Sequence, residues 1–176
     1  MISKSISAFV QIIDVSHEII AWVKISKELT GSGDGYIIVS VYIPSQCPSF
    51  YKMHNVDLFY VLETQIVQYS AVCHHIFVIG DLNSRTGCMY DFVKNDMLHN
   101  SIIDRFGELF TYVADETLLN RANPDIATND YGIKLINLCK SSGLQVLNGR
   151  HSDGLSSDYT YSGPRSMSVI DYLFSK

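Results

Sequence analysis

Apolar residues in this chain fall mainly into short alternating runs, the period of half-buried strands, and two segments switch to helical spacing. Residues 8–13 suit a strand, and residues 18–25 (Glu-Ile-Ile-Ala-Trp-Val-Lys-Ile) suit a second. Its alternation puts Ile20, Trp22 and Lys24 on one face and Ile19, Ala21, Val23 and Ile25 on the other. The short link 14–17 predicts an antiparallel hairpin. Residues 27–35 carry Gly31, Gly33 and Gly35 and read as a loop; no Gly-Lys-Ser/Thr closes it, so it is not a phosphate-binding loop. Residues 36–43 form a third strand, ended by Pro44, and 45–52 are irregular. Leu58, Phe59, Leu62, Ile66 and Tyr69 then recur near 3.6-residue spacing, predicting an amphipathic helix over 56–69.

Residues 76–79 are continuously apolar, the mark of a strand buried on both faces. Gly80 interrupts them, and Asp81, Asn83 and Arg85 follow at alternate positions. The stretch 88–125 is weakly patterned; Asn100 or Ser101 would cap a short helix carrying Ile102, Ile103 and Phe106. Asn129 caps a helix over 130–142 whose apolar residues are Ile133, Leu135, Ile136, Leu138 and Cys139, and Gly143 stops it. A short strand at 144–147 and an Asn148-Gly149-Arg150 turn follow. Residues 159–161 and 168–174 pair as the last two strands around Gly163-Pro164. Hairpins with few crossovers and interspersed helices predict one α+β domain, residues 1–176, with antiparallel or mixed sheets packed together and helices outside.

Composition narrows the function classes. A hydrophobic fraction of 47% and a charged fraction of 18% are globular values, not those of a disordered chain. Lys and Arg total 13 against 18 Asp and Glu, net −5, which argues against a protein held on nucleic acid by charge alone. It leaves room for an enzyme that engages a phosphodiester with help from a metal ion. Cys47, Cys73, Cys88 and Cys139 include no Cys-x-x-Cys pair and read as reduced thiols of an intracellular protein. His74 and His75 are adjacent, face opposite ways in a strand, and read as structural. No apolar run approaches membrane-spanning length, no secretory leader is evident, and nothing points to an obligate protein partner.

Candidate chemistry centres on residues 75–87. Alternate residues of an extended segment point the same way, so Asp81, Asn83 and Arg85 offer a carboxylate, an amide and a guanidinium on one side. That set suits an anionic or metal-bound substrate. The plainer alternative is a strand-to-turn junction in which Asp and Asn bond their own backbone.

Three strand ends occur in order: Val-Tyr-Ile-Pro at 41–44, Gly-Asp-Leu-Asn-Ser-Arg at 80–85 and Ser-Val-Ile-Asp-Tyr at 168–172. With these motifs the chain resembles the endonuclease/exonuclease/phosphatase superfamily. Residues 131–144 (Tyr-Gly-Ile-Lys-Leu-Ile-Asn-Leu-Cys-Lys-Ser-Ser-Gly-Leu) and the Asn-Gly-Arg at 148–150 are similar to the endonuclease domains of non-LTR retrotransposons, relatives of apurinic/apyrimidinic endonucleases. The resemblance covers about residues 3–176. It implies a four-layer α-β-β-α sandwich of two mixed, largely antiparallel sheets, and a DNA-nicking phosphodiesterase using Mg²⁺ or Mn²⁺, nuclear where functional. By the same resemblance Asp81 would activate water and Asn83 would hold that water or a phosphate oxygen, both touching the metal secondarily. Tyr42 would lean its hydroxyl toward the phosphate, Asp171 would orient a catalytic histidine, and Arg85 would contact the DNA backbone. Tyr42 also reads as a half-buried strand tyrosine, Asp171 as solvent-facing, and Thr160 as either a hydrogen-bonding neighbour of the site or half of a cross-strand pair.

The sequence departs from the family pattern at decisive positions. The early Asn and metal-binding Glu have no counterpart, since Glu18 and Glu28 lack the required setting, and the closing Ser-Asp-His is missing; His151 does not match it. The expectation is an incomplete domain, truncated at both ends, that holds half a site and is inactive alone. Alternatives are a non-catalytic remnant acting as an interaction module, or an inositol-phosphatase or sphingomyelinase type of the same superfamily.

Overall fold

The computed structural model describes residues 3–45, 50–51, 55–93, 121–150, 158–164 and 166–176, with the side chains of residues 16 and 17 excepted. The expected helix near residues 100–106, His151, Cys47 and most of the irregular stretch 45–52 lie outside them. Strands β1 (Val10–His17), β2 (Ile20–Ile25) and β3 (Tyr36–Tyr42) pair antiparallel in sequence. Helix α1 (Lys27–Thr30) lies between β2 and β3, and helix α2 (Leu58–Ser70) carries the chain over to β4 (Ile76–Asp81), which runs parallel to β3. Helix α3 (Asp130–Ser142), β5 (Gln145–Val146), the hairpin β6 (Tyr161–Ser162) and β7 (Met167–Ser168), and β8 (Asp171–Ser175) complete the order. The set is α+β: one six-stranded mixed sheet, β1-β2-β3-β4-β8-β5, and one two-stranded sheet, β6-β7.

The core lies on one face of the large sheet. Ile20 and Trp22 of β2, Ile37, Val39 and Val41 of β3, Ile76 and Val78 of β4, and Tyr172 and Phe174 of β8 are all buried there. Leu58, Leu62 and Ile66 of α2 and Leu135, Leu138 and Cys139 of α3 close over them. Burial at these positions drives the fold, about 1.5–3 kcal/mol for each large aliphatic side chain taken from water. A buried polar chain fixes α2 on the sheet: Trp22 Nε1 donates to Gln65 Oε1 (3.0 Å), and Gln65 Nε2 donates to Asp14 Oδ2 (3.0 Å). Both long helices are capped as their sequences require. The Asp57 carboxylate accepts from the Phe59 and Tyr60 N–H groups, the Asn129 amide oxygen accepts from Gly132 N–H, and Gly143 closes α3.

Five expectations are corrected. The first hairpin turns at Glu18-Ile19 rather than at 14–17, because β1 continues through two register shifts around Asp14. The glycine-rich loop holds the one-turn helix α1. Ile133 on α3 is 49% exposed, on the side away from the sheet. The stretch 168–174 does not form one strand: Met167–Ser168 pairs with Tyr161–Ser162, and Asp171–Ser175 joins the large sheet between β4 and β5. The break at Val169-Ile170 is held open because Val169 N–H donates to Asp125 and Ile170 N–H to Thr160. Finally, β4 is buried on one face only. Ile76 and Val78 are covered, whereas Ile79 is 48% exposed on the opposite face.

Candidate active site

Strand register brings three of the sequence candidates side by side. Tyr42 is the Cα partner of Asp81 across β3 and β4, and Asp81 is the partner of Asp171 across β4 and β8. All three follow the parity of the outer face, opposite the core, so they form one row at one end of the sheet. Backbone bonds hold the row: Tyr42 N–H donates to Ile19 O (2.9 Å) and Ile43 N–H to Asp81 O (2.8 Å). Gly80 permits the approach of β4 to β3, since a Cβ there would lie 1.8 Å from Val41 O.

The two carboxylates differ in surroundings. Asp81 is partly buried, and its Oδ1 accepts the Asn83 backbone N–H at 2.9 Å. Burial raises its pKa above the usual carboxylate range; the Asn83 N–H works against that rise, and the charge of Asp171 adds to it. Two acidic groups side by side favour a proton or a cation between them.

Asn83 stands at φ 49°, a left-handed backbone that Asn tolerates better than most residues. Its amide nitrogen donates to Ile43 O (2.9 Å), and the residue lines the cleft beside the row. Asn129 keeps this loop in place from the start of α3: its nitrogen donates to Asn83 O (3.0 Å), and its oxygen accepts from Arg85 N–H (2.9 Å). Helix α3 reaches the loop because residue 132 is glycine; a Cβ there would lie 1.9 Å from Arg85 O.

Arg85 forms a two-pronged ion pair with Asp125, Nε to Oδ2 at 2.9 Å and Nη2 to Oδ1 at 2.6 Å. Burial opposes ionisation of Asp125, but Arg85 and the N–H groups of Val169 and Ala127 outweigh it and hold its pKa below the ordinary range. Arg85 therefore braces the site, and its outer edge joins Asn83, Asn129, Tyr131, Tyr161 and Ser168 in lining a polar cleft of about 590 Å³. Ile170, next to Asp171, lines the same cleft, so the cleft adjoins the carboxylate row.

Several residues that hold the row were not singled out for it by the sequence pattern. Thr160 Oγ1 accepts from both Ile170 and Asp171 N–H (3.0 Å each), and its own N–H donates across the hairpin to Ser168 O (3.0 Å). The Asn148 amide grips β8 on either side of Tyr172, donating to Asp171 O (3.1 Å) and accepting from Leu173 N–H (2.9 Å). The buried Tyr172 hydroxyl lies 2.8 Å from Ser84 O and 3.2 Å from Thr86 Oγ1, tying β8 to the loop after β4. Asn148-Gly149 reads locally as a turn and Tyr172 only as part of a strand end, and neither spacing reveals a partner so distant in sequence. His74 pairs with Asp34, and His75 packs edge-on against Tyr36.

Among the described residues no group of three His, Cys, Asp or Glu side chains is placed to hold a metal ion, and no helix is long and apolar enough to cross a membrane. Compared with known proteins, the chain matches no family model and no curated protein.

Proposed function

We propose that the Tyr42–Asp81–Asp171 row is a phosphodiesterase centre of the endonuclease/exonuclease/phosphatase kind, derived from the DNA-nicking endonuclease of a non-LTR retrotransposon. The observation that carries the reading is the register that sets Tyr42, Asp81 and Asp171 abreast, with Asn83 and a polar cleft beside them. In this reading the fold corresponds to a four-layer α-β-β-α sandwich, with the outer face of the large sheet turned toward the second sheet, and the substrate is nuclear DNA.

The donor set fits Mg²⁺ or Mn²⁺, which take hard oxygen ligands from one or two carboxylates and complete their shells with water. Asp81 and Asp171 would hold the ion, and a cation there offsets the burial and like charge that raise the Asp81 pKa. When bound, the ion supplies charge stabilisation to the phosphoryl oxygens. Asp81, ionised beside the cation, would take the proton from water. Tyr42, half exposed at the row's end, would donate its hydroxyl to a phosphate oxygen, and the Asn83 amide oxygen would orient the attacking water. Arg85, braced by Asp125, flanks the cleft through which a backbone phosphate would pass.

Two carboxylates hold a divalent ion weakly, and the family's Glu and Asp-His have no counterpart in the sequence. Site and turnover are therefore tested separately. Mn²⁺ binding followed by electron paramagnetic resonance is expected for the wild-type chain and lost in Asp81→Ala and Asp171→Ala. Mg²⁺-dependent nicking of plasmid or abasic DNA is expected to stay at the level of Asp81→Ala. Undiminished Mn²⁺ binding in both variants would overturn the assignment. Clear metal-dependent nicking abolished by Asp81→Ala would uphold the centre and overturn the inactivity.

A further inference from the structure

Following the loop that carries Asn83, residues 87–92 and Arg121 wall a cavity of about 150 Å³. The Arg121 side chain is only 5% exposed. Among the described residues its guanidinium nevertheless has one close acceptor, Met89 O at 3.0 Å from Nη2. Its remaining contacts converge on a single hydroxyl. Thr86 Oγ1 lies 3.5 and 3.4 Å from Nη1 and Nη2, and it is shared with Asn123 Nδ2 (3.4 Å) and the Tyr172 hydroxyl (3.2 Å). A hydroxyl oxygen has two lone pairs, too few for that many neighbours. The Asp91 carboxylate stands 3.9 Å from Arg121 Nε, beyond hydrogen-bond range. Its oxygens are committed elsewhere, to Arg150 Nη2 at 2.6 and 2.7 Å and to the Val146 N–H at 2.7 Å.

We propose that this cavity binds a small tetrahedral oxyanion of the phosphate type, held by the Arg121 guanidinium. A buried guanidinium is costly unless it is both paired and hydrogen-bonded, and Arg121 is short of acceptors on both counts. An oxyanion supplies the charge and several acceptors together, and its oxygens match the guanidinium fork. Water would supply acceptors without the charge. Asp91 shares the wall, and the close Arg150 guanidinium offsets its charge, so it does not turn an anion away.

Size selects the free ion. The cavity has about five times the roughly 30 Å³ that a water molecule occupies in the liquid, which suits an ion of this class without a nucleoside attached. A phosphate at the end of an oligonucleotide offers the same oxygens but brings that bulk with it. Cys88 and Tyr90 are exposed and mark the mouth. None of these residues belongs to the carboxylate row, so the site stands whether or not the row hydrolyses a phosphodiester.

The Cys88 thiol reports occupancy of the mouth. Its alkylation by iodoacetamide, a neutral reagent, is followed at the Cys88 peptide by mass spectrometry, in inorganic phosphate or in chloride of equal ionic strength. A bound anion blocks the reagent and opposes the thiolate, so in about 50 mM phosphate Cys88 is expected to react about tenfold more slowly than in chloride. Arg121→Gln is expected to abolish the protection. Arg121→Lys keeps the charge without the fork and is expected to weaken phosphate binding about tenfold. Lys140→Gln, which removes an exposed cation from α3, leaves the protection unchanged. Far-UV circular dichroism checks that each variant is folded, and Arg121→Lys decides if Arg121→Gln is not. Equal rates in phosphate and chloride overturn the site, as does protection that survives in the folded Arg121 variants or that Lys140→Gln removes. A 5′-phosphorylated dinucleotide is expected to protect less well than free phosphate; stronger protection, still lost with Arg121, keeps the site and overturns the free ion as its occupant.

Discussion

Asp81 and Asp171 stand as Cα partners on antiparallel β4 and β8, so two acidic side chains separated by ninety positions in sequence project from one face of the sheet. Burial and the neighbouring charge raise the Asp81 pKa, so its ionisation opposes folding. The native state binds a proton more tightly than the unfolded chain, and stability falls as pH rises from the unfolded carboxylate value through the folded one. Asp81→Asn removes that opposition and keeps an Oδ1 to accept the Asn83 N–H. At pH 7 the variant is expected to be more stable than wild type, by less than about 1 kcal/mol because solvent screens a partly exposed group. Below the unfolded carboxylate range the advantage disappears. Urea unfolding of both proteins between pH 3 and pH 7 checks it; equal stability at pH 7 would refute the argument.

The Arg85–Asp125 pair behaves in the opposite sense. Asp125 is buried, and burial alone would raise its pKa, but Arg85 and two backbone N–H groups bring it below the ordinary range. Its stabilisation is present above the unfolded carboxylate value and is lost as pH falls through the folded one. Asp125→Asn strands the Arg85 guanidinium and is expected to cost about 3 kcal/mol near neutral pH. The gap between variant and wild type should close under acid conditions in chemical denaturation. A constant gap from pH 7 down to the acid transition would show that the charge contributes nothing.

These two sites also mark what was legible in the sequence. Local signals carried the elements well: Asn129 and Gly143 bound α3 as expected, and the alternation of residues 20–25 separated Ile20 and Trp22, which are buried, from Ala21, Val23 and Ile25. The Asp81, Tyr42 and Asp171 cluster was legible only through family resemblance, because their meeting depends on strand register and not on any local pattern. What periodicity could not carry was one-sided burial. Residues 76–79 are as apolar as a strand covered twice, yet Ile79 is exposed, since hydrophobicity records what a face prefers and not what covers it. Arg85 illustrates the same limit. Its position after Asp81 and Asn83 suggests a substrate contact, while its partner Asp125 lies forty residues away in a weakly patterned stretch.

Gly132 yields a prediction with a reversed sign. Alanine in place of glycine inside a helix ordinarily stabilises by up to about 1 kcal/mol. Here the added Cβ would lie 1.9 Å from Arg85 O and 2.5 Å from its carbonyl carbon. Backbone on both sides leaves no flexible side chain to move aside, so α3 must shift from the loop that carries Asn83. Gly132→Ala is expected to destabilise by about 1–3 kcal/mol in thermal or chemical unfolding. Any gain in stability would show that the helix can slide without loss.

Thr160 supplies the last and most local prediction, because its hydroxyl fixes the start of the strand that bears Asp171. Oγ1 accepts from two consecutive N–H groups, Ile170 and Asp171, just where the chain leaves the β6-β7 hairpin and joins β4. Valine is nearly isosteric but cannot accept, so Thr160→Val leaves two donors without their protein partner, at a cost of about 1–2 kcal/mol. Serine retains the oxygen and loses only a methyl group, so Thr160→Ser should recover most of the difference. A general packing defect and a lost acceptor then separate in amide hydrogen exchange. In Thr160→Val the Ile170 and Asp171 amides are expected to exchange at least tenfold faster, the equivalent of about 1.4 kcal/mol, while the Val78 and Phe174 amides farther along the sheet change little. Equal acceleration at all four amides, or no recovery in Thr160→Ser, would mean that the hydroxyl does not hold the strand.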